Sequence, residues 1–277
     1  MRSANHGVRI AVIWVVVSII VEILISIAPV PAPSASEQAE GVRQTIYMLL
    51  YLGGPIFALI WVLLVYELLT FRRRRGEAED EPLPRPDSGP VLTLWAGVSF
   101  LIVLFLAGWG TFTLKAITEA NGPHPFPIQV IGQQWKWTFR YPTYGGMETG
   151  DLYVPTSTPI VFRITSLDVV HSFWLYNQDI KEDAVPGVQN IAYMEVHGTG
   201  HSLPNGTNWV KCNELCGLWH GYMKTHMNIL TKSQFRSWAN HQLAYEKSTG
   251  FLKYLPPYSA TYFPAPNWPG APQDQSP

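Results

Sequence analysis

Three long apolar stretches, Ile10 to Ala28, Thr45 to Thr70 and Val91 to Ile117, fill most of the first 118 residues. Each supplies the roughly 20 residues that an α-helix needs to cross a hydrocarbon core of about 30 Å. A buried helix of a soluble protein would show a polar stripe at helical spacing, and these runs lack one. Gly53, Gly54, Pro55, Gly108 and Gly110 fall inside the second and third runs, where membrane helices tolerate such residues better than soluble ones do. The chain is therefore expected to enter a membrane two or three times before it reaches residue 120.

Basic residues orient these spans. Arg72, Arg73, Arg74 and Arg75 directly follow the second run, and Arg85 lies in the same short connection. The positive-inside rule places that connection in the cytoplasm and everything after the third run outside. Arg2 and Arg9 put the N-terminus on the cytoplasmic side as well. The first run has two readings: a signal peptide, with the small residues from Ala28 to Ser36 behind it, or a retained helix. Its length and Glu22 lean toward retention. Glu22 and Glu67 are candidates for a role inside the membrane because isolated charges there are costly, although the nearby arginines account for Glu67.

Formal charge is nearly balanced, with 19 Lys plus Arg against 20 Asp plus Glu. No basic footprint for nucleic acid is expected from such a composition. The averages hide a split between the apolar first part and a soluble second part of about one domain's length. The expected organisation is an N-terminal hydrophobic segment over 1–30, a transmembrane hairpin over 45–118 with its basic loop at 71–90, a soluble domain over 121–247, and an extension over 248–277. Prolines 256, 257, 264, 266, 269 and 272 rule out a regular helix in that extension. Its aromatics suit a segment lying on a protein surface.

Short runs rich in Val, Ile, Thr and aromatics, punctuated by Gly, Pro, Asn and Ser, predict strands in the soluble part. They cover 127–141, 151–153, 160–165, 171–176, 190–197, 208–212 and 225–230, and suggest a two-sheet sandwich. A helix is predicted over 231–245, with Ser233 as its N-cap.

The only two cysteines, Cys212 and Cys216, stand four residues apart, with His220 four residues later and Met223 three after that. His171 ends an apolar run forty-one residues upstream of Cys212. Two thiolates, imidazoles and a thioether form a soft donor set that favours copper over hard cations. A disulfide is the simplest alternative in an oxidising compartment. Zinc on two cysteines and two histidines, with His226 as a spare, is another. The residues by themselves leave all three open. Paired thiolates are surplus at a single-copper site but could bridge two coppers.

Four elements together resemble subunit II of cytochrome c oxidase, the subunit that carries the dinuclear CuA centre. They are Cys212-Asn213-Glu214-Leu215-Cys216 with His220 and Met223, Asp168 to Phe173, Ile131 to Trp137, and Ala184-Val185-Pro186-Gly187. The resemblance runs from about residue 45 to about residue 238. It implies a membrane-anchored all-β protein, with N-terminal transmembrane helices followed by a cupredoxin-like β-sandwich. It also implies copper ligands at His171, Cys212, Cys216, His220 and Met223, with the Glu214 backbone carbonyl as a further donor. The Glu214 side chain would reach a magnesium ion at the boundary with subunit I, and Trp135 would be where electrons enter.

The implied function is electron acceptance from cytochrome c or another small redox protein, and transfer to haem in subunit I. Oxygen reduction and proton translocation belong to that other chain, and subunit III is a further expected partner. The implied location is the cell membrane, the inner membrane of a prokaryote, with the β domain on the periplasmic side. No Cys-x-x-Cys-His occurs, so covalent haem is not expected. The ligand set equally suits the CuA-bearing subunit of a nitric oxide reductase, and a membrane-tethered copper-binding protein is a third reading. The chain departs from the family at Lys136 and Arg140, where basic residues replace an aromatic and nearby acids. From residue 121 onward ten Lys plus Arg meet ten Asp plus Glu, which does not favour steering of a strongly basic cytochrome.

Overall fold

The computed structural model describes residues 4–28, 36–72, 88–118, 124–198 and 208–251. Most of the basic connection and the Pro-rich extension beyond Phe251 lie outside the described residues. Among the described residues, three helices are long and apolar enough to cross a membrane: α1 (Ala4–Ile27), α2 (Glu37–Thr70) and α3 (Gly89–Thr118). The chain divides into two compact units, one of residues 1–31 with 43–113, the other of residues 32–42 with 114–277.

In the first unit α1 and α2 run antiparallel. His6 Nδ1 lies 2.6 Å from the Tyr66 hydroxyl, and Trp14 Nε1 donates to the Pro55 carbonyl at 2.8 Å. Between them the missing side chain of Gly54 admits α1: a Cβ there would stand 2.7 Å from Glu22 Oε1. Large apolar side chains such as Ile19, Leu24, Leu101 and Phe112 face outward. Contiguous apolar surface of that kind suits lipid or protein rather than water.

The second unit is a sandwich of two five-stranded sheets. The first sheet has the order β3-β2-β1-β5-β8, from Met147–Thr149 (β3), Lys136–Tyr141 (β2), Phe126–Gln133 (β1), Ile160–Ser166 (β5) and Asn190–Met194 (β8). The second has the order β4-β10-β9-β6-β7, from Leu152–Pro155 (β4), Lys224–Leu230 (β10), Asn208–Cys212 (β9), His171–Leu175 (β6) and Ile180–Ala184 (β7). Two-residue alternation sends Ile128, Val130, Phe139, Phe162, Phe173, Leu175 and Val210 into the space between the sheets, where all are fully buried.

The run expected as one strand over 127–141 is two, β1 and β2, joined by a turn at Gln134-Trp135. Strands β3 and β7 were not expected, because Met-Glu-Thr and Ile-Lys-Glu-Asp-Ala carry polar residues that pay little heed to strand propensity; pairing with β2 and β6 holds them. Helix α4 (Lys232–Thr249) begins one residue later than expected and runs four residues further. Its N-cap is Thr231, not Ser233. The Thr231 hydroxyl accepts from Gln234 N, and the Gln234 side chain accepts from Thr231 N. That reciprocal pair satisfies two N–H groups that Ser233, inside the first turn, would leave open. Phe235 and Trp238 of α4 pack on Tyr141, and Trp238 stacks on Tyr153 at 4.0 Å.

Residues Ser36 to Gln38 belong to this unit. Ser36 Oγ donates to the Gln178 carbonyl and accepts from Ala39 N, while Glu37 N donates to the Glu195 carbonyl. His197 Nε2 lies 2.8 Å from Glu37 Oε1.

Candidate metal centre

Strand register assembles the site. Strands β6 and β9 pair antiparallel with Phe173 opposite Cys212, so His171, at the start of β6, arrives beside the end of β9. Alternation along β9 points Val210 and Cys212 inward. The connection from Cys212 to β10 then folds back on itself: Cys212 N donates to the Met223 carbonyl, and Asn213 N to the Ser172 carbonyl. His220 to Tyr222 form a single tight turn that presents His220 and Met223 toward Cys216.

The donor atoms converge. Cys212 Sγ and Cys216 Sγ are 3.8 Å apart, and both thiols are free. A disulfide would need about 2.05 Å. Bonds of ~2.3 Å from both sulfurs to one ion would subtend about 110°, close to tetrahedral. His171 Nδ1 lies 3.8 Å from Cys212 Sγ, and the Glu214 carbonyl lies 3.3 Å from it. His220 Nδ1 is 3.6 Å and Met223 Sδ 3.8 Å from Cys216 Sγ. The donor atoms of His171, Cys212 and Cys216 all fall within 4.8 Å of one another. His220 stands outside that triad, at the other end of the sulfur pair. Each sulfur thus has its own imidazole.

Burial and second contacts stiffen the arrangement. His171 is 0 % exposed, Met223 1 % and Cys216 4 %. His171 Nε2 is 2.8 Å from Asp168 Oδ1; the carboxylate accepts there, which leaves the Nδ1 lone pair facing the sulfurs. Partial burial pushes the Asp168 carboxyl up, but bonds from Gln134 N, the His171 ring and Val169 N outweigh it and leave the group below its ordinary range. Burial, and then the neighbouring Cys212, push the Cys216 thiol up. A cation placed between the sulfurs would reverse that preference, since thiolate is the ligand form. A buried thioether beside two thiols and two imidazoles suits a soft metal such as copper better than zinc, for which Met is a poor ligand.

All six residues expected at the site meet here, and Trp135 adjoins them. Its ring is half-buried, and its Nε1 donates to the Cys216 carbonyl at 3.2 Å. The Glu214 side chain points outward and is exposed. Sequence reasoning noted Asp168 only as part of a motif and gave no role to Gly132 or Gln134. Gln134 Nε2 donates to the Cys216 carbonyl at 2.8 Å. A Cβ on Gly132 would come within 2.9 Å of His171 Cδ2 and 3.2 Å of Trp137 Cζ3, so the glycine makes the seat of the His171 ring. An acid three residues before the histidine was the available signal for Asp168; nothing local marked Gly132.

Residues 147–230 match the family model described as cytochrome c oxidase subunit II, periplasmic domain. Among similar proteins, cytochrome c oxidase subunit 2 of Thermostichus vulcanus is 25 % identical over 265 residues, covering 76 % of this chain and 77 % of that one. The probable cytochrome c oxidase subunit 2 of Rickettsia prowazekii is 28 % identical over 229 residues, covering 74 % and 69 %. Among solved structures, the periplasmic domain of subunit II of cytochrome oxidase from Bradyrhizobium japonicum aligns with a TM-score of 0.41 and 26 % identity, over 47 % of this chain and 98 % of that one.

Proposed function

This chain belongs to the cytochrome c oxidase subunit II family, and from that premise we propose that its β domain holds two coppers between Cys212 and Cys216 and receives the electrons that the oxidase consumes. The observation that carries the two-metal reading is the division of donors. His171 and the Glu214 carbonyl lie at the Cys212 end, His220 and Met223 at the Cys216 end. Copper bound there would supply a one-electron acceptor whose charge is shared over both ions.

The protein's own contribution is to hold the donors still. Backbone bonds from Asn213 to Ser172 of β6 and from Cys212 to Met223, the Asp168 contact and the Gly132 seat leave the ligands little room to rearrange. Near-complete burial of His171, Cys216 and Met223 keeps water from the donor atoms. Trp135 is the proposed point at which electrons enter, because its half-exposed ring is bonded directly to the ligand loop. From the site the electrons would pass to haem in subunit I, with the apolar helices anchoring the chain in the cell membrane beside it and the β domain on the periplasmic side. A magnesium ion at the exposed Glu214 side chain is proposed at the same boundary, and subunit III as a further neighbour.

Electron paramagnetic resonance of the copper-loaded oxidase tests the reading. One electron shared by two copper nuclei of spin three-halves gives seven hyperfine lines, and one nucleus gives four. Seven lines are expected from the unaltered chain, and their loss in Cys212→Ser and in Cys216→Ser. A four-line spectrum, or an unchanged spectrum in either variant, would overturn the two-metal site.

A further inference from the structure

The outer face of the second sheet carries a row of lysines that the fold does not need. Cross-strand register places Lys181 of β7, Trp174 of β6, Lys211 of β9 and Lys224 of β10 directly side by side. Lys211 and Lys224 are immediate partners, an arrangement that destabilises a sheet. Among the described ion pairs none involves any of the three. Two acids, Asp183 and Asp151, lie near the row. Asp183 is two residues further along β7 from Lys181, opposite Ser172, and Asp151 is already engaged by Thr225 and His226.

Aromatic rings hold two of the three ammonium groups in place. Lys211 Nζ lies 4.4 Å from the Tyr176 ring centroid and 5.8 Å from that of Trp174, and Lys224 Nζ lies 5.2 Å from that of Trp209. Such contacts fix a cation at the cost of some of its side-chain freedom, so the positive charge sits on a stiff surface. The row also lies next to the metal ligands in sequence and in space: Lys211 precedes Cys212, and Lys224 follows Met223. On the ligand loop itself Leu215 is 80 % and Leu218 84 % exposed, an apolar tip beside a cationic flank. Apolar contact with a charged margin is the composition of a surface for brief, oriented encounters.

We propose that Lys181, Lys211 and Lys224 form the docking surface for an electron-donating redox protein that presents an acidic face. The inference rests on the copper reading above and adds to it the sign of the donor's charge and the side from which it approaches. The near-zero net charge of the domain leaves this local row as the steering element. Clustered charge of one sign raises association rates at low salt and loses that effect as salt screens it.

The test uses the assembled oxidase and two probes that differ in charge alone: a reduced basic c-type cytochrome and the same protein with its lysines succinylated. Stopped-flow reduction at low ionic strength should be about tenfold faster with the succinylated probe, and that advantage should vanish with added salt. A triple variant K181E/K211E/K224E should reverse the preference, and K181Q/K211Q/K224Q should flatten the salt dependence if the charge reversals impair folding. Reduction by a small uncharged mediator should stay unchanged in both variants. A faster basic probe at low salt, or variants with the unaltered salt dependence, would overturn the proposal. So would loss of binding to phosphatidylglycerol vesicles in the variants with probe kinetics unaltered, which would assign the row to lipid. Salt-dependent binding of both probes to immobilised, metal-free oxidase reads the docking sign without copper. A failed copper centre and a failed docking surface are therefore separate outcomes.

Discussion

Asp168 fixes which nitrogen of His171 faces the sulfurs. Asp168→Asn keeps the size of the side chain but removes the charge that orients the ring. Copper affinity should fall 10- to 100-fold, the usual loss when such a partner is altered, as measured by competition with a chelator. The carboxyl also couples to pH. Its folded-state value is depressed, so its stabilisation is complete above the ordinary carboxylate range near ~4 and is lost as pH falls through the lower folded value. Thermal unfolding of the metal-free chain should therefore lose stability more steeply in acid than that of Asp168→Asn. Glu246 has the opposite sign. It is buried on α4, where loss of hydration raises its carboxyl above the ordinary range despite bonds from Gln242 and Glu148 N. Its stabilisation is present at low pH and is lost as pH rises from the ordinary range through the folded value. Glu246→Gln should remove that decline and raise the unfolding temperature at neutral pH.

Two elements depend on small details of backbone and cap. Gly132 lies in β1 with ordinary strand geometry, so its role is space alone. In Gly132→Ala the new methyl would push on His171 and Trp137. A cost of about 1–3 kcal/mol is expected from overpacking, read as a lower unfolding temperature together with altered copper hyperfine couplings. At α4, Thr231→Ala should cost roughly 0.5–2 kcal/mol, seen as a lower urea midpoint with an unchanged slope. Runs rich in Val, Ile, Thr and aromatics made β4, β5, β6, β8, β9 and β10 legible in the sequence, and β1 with β2 as a single strand, because such residues fit a pleated, half-buried surface. β3 and β7 were illegible for the reverse reason: their stability comes from a neighbour rather than from their own residues.

At the scale of the whole chain, three apolar helices and one soluble domain make opposite demands on solvent. Alkaline carbonate should leave the full chain in the membrane pellet, with detergent needed to release it; release by carbonate alone would contradict membrane-spanning helices. The β domain in turn draws on residues outside its own strands. Ser36 both caps the start of α2 and bonds the Gln178 carbonyl. Ser36→Ala should lower the domain's stability by about 1 kcal/mol, measured as lost protection of the Ala39 amide from hydrogen exchange.

The sequence by itself determined what local chemistry can carry: the place and length of the apolar runs, the soft donor set, and the residue types of the ligand loop. A run of twenty apolar residues or a Cys-His-Met spacing needs no distant partner to be read. Tertiary structure decided everything that depends on register. Pairing of β6 with β9 brings His171 to Cys212 across forty-one residues, and the same register lines up Lys181, Lys211 and Lys224. From residue 121 onward, ten positive and ten negative residues cancel when counted along the chain. They separate only when the sheet sets particular side chains side by side, because electrostatic and coordination energies depend on distance in space, not on position in sequence.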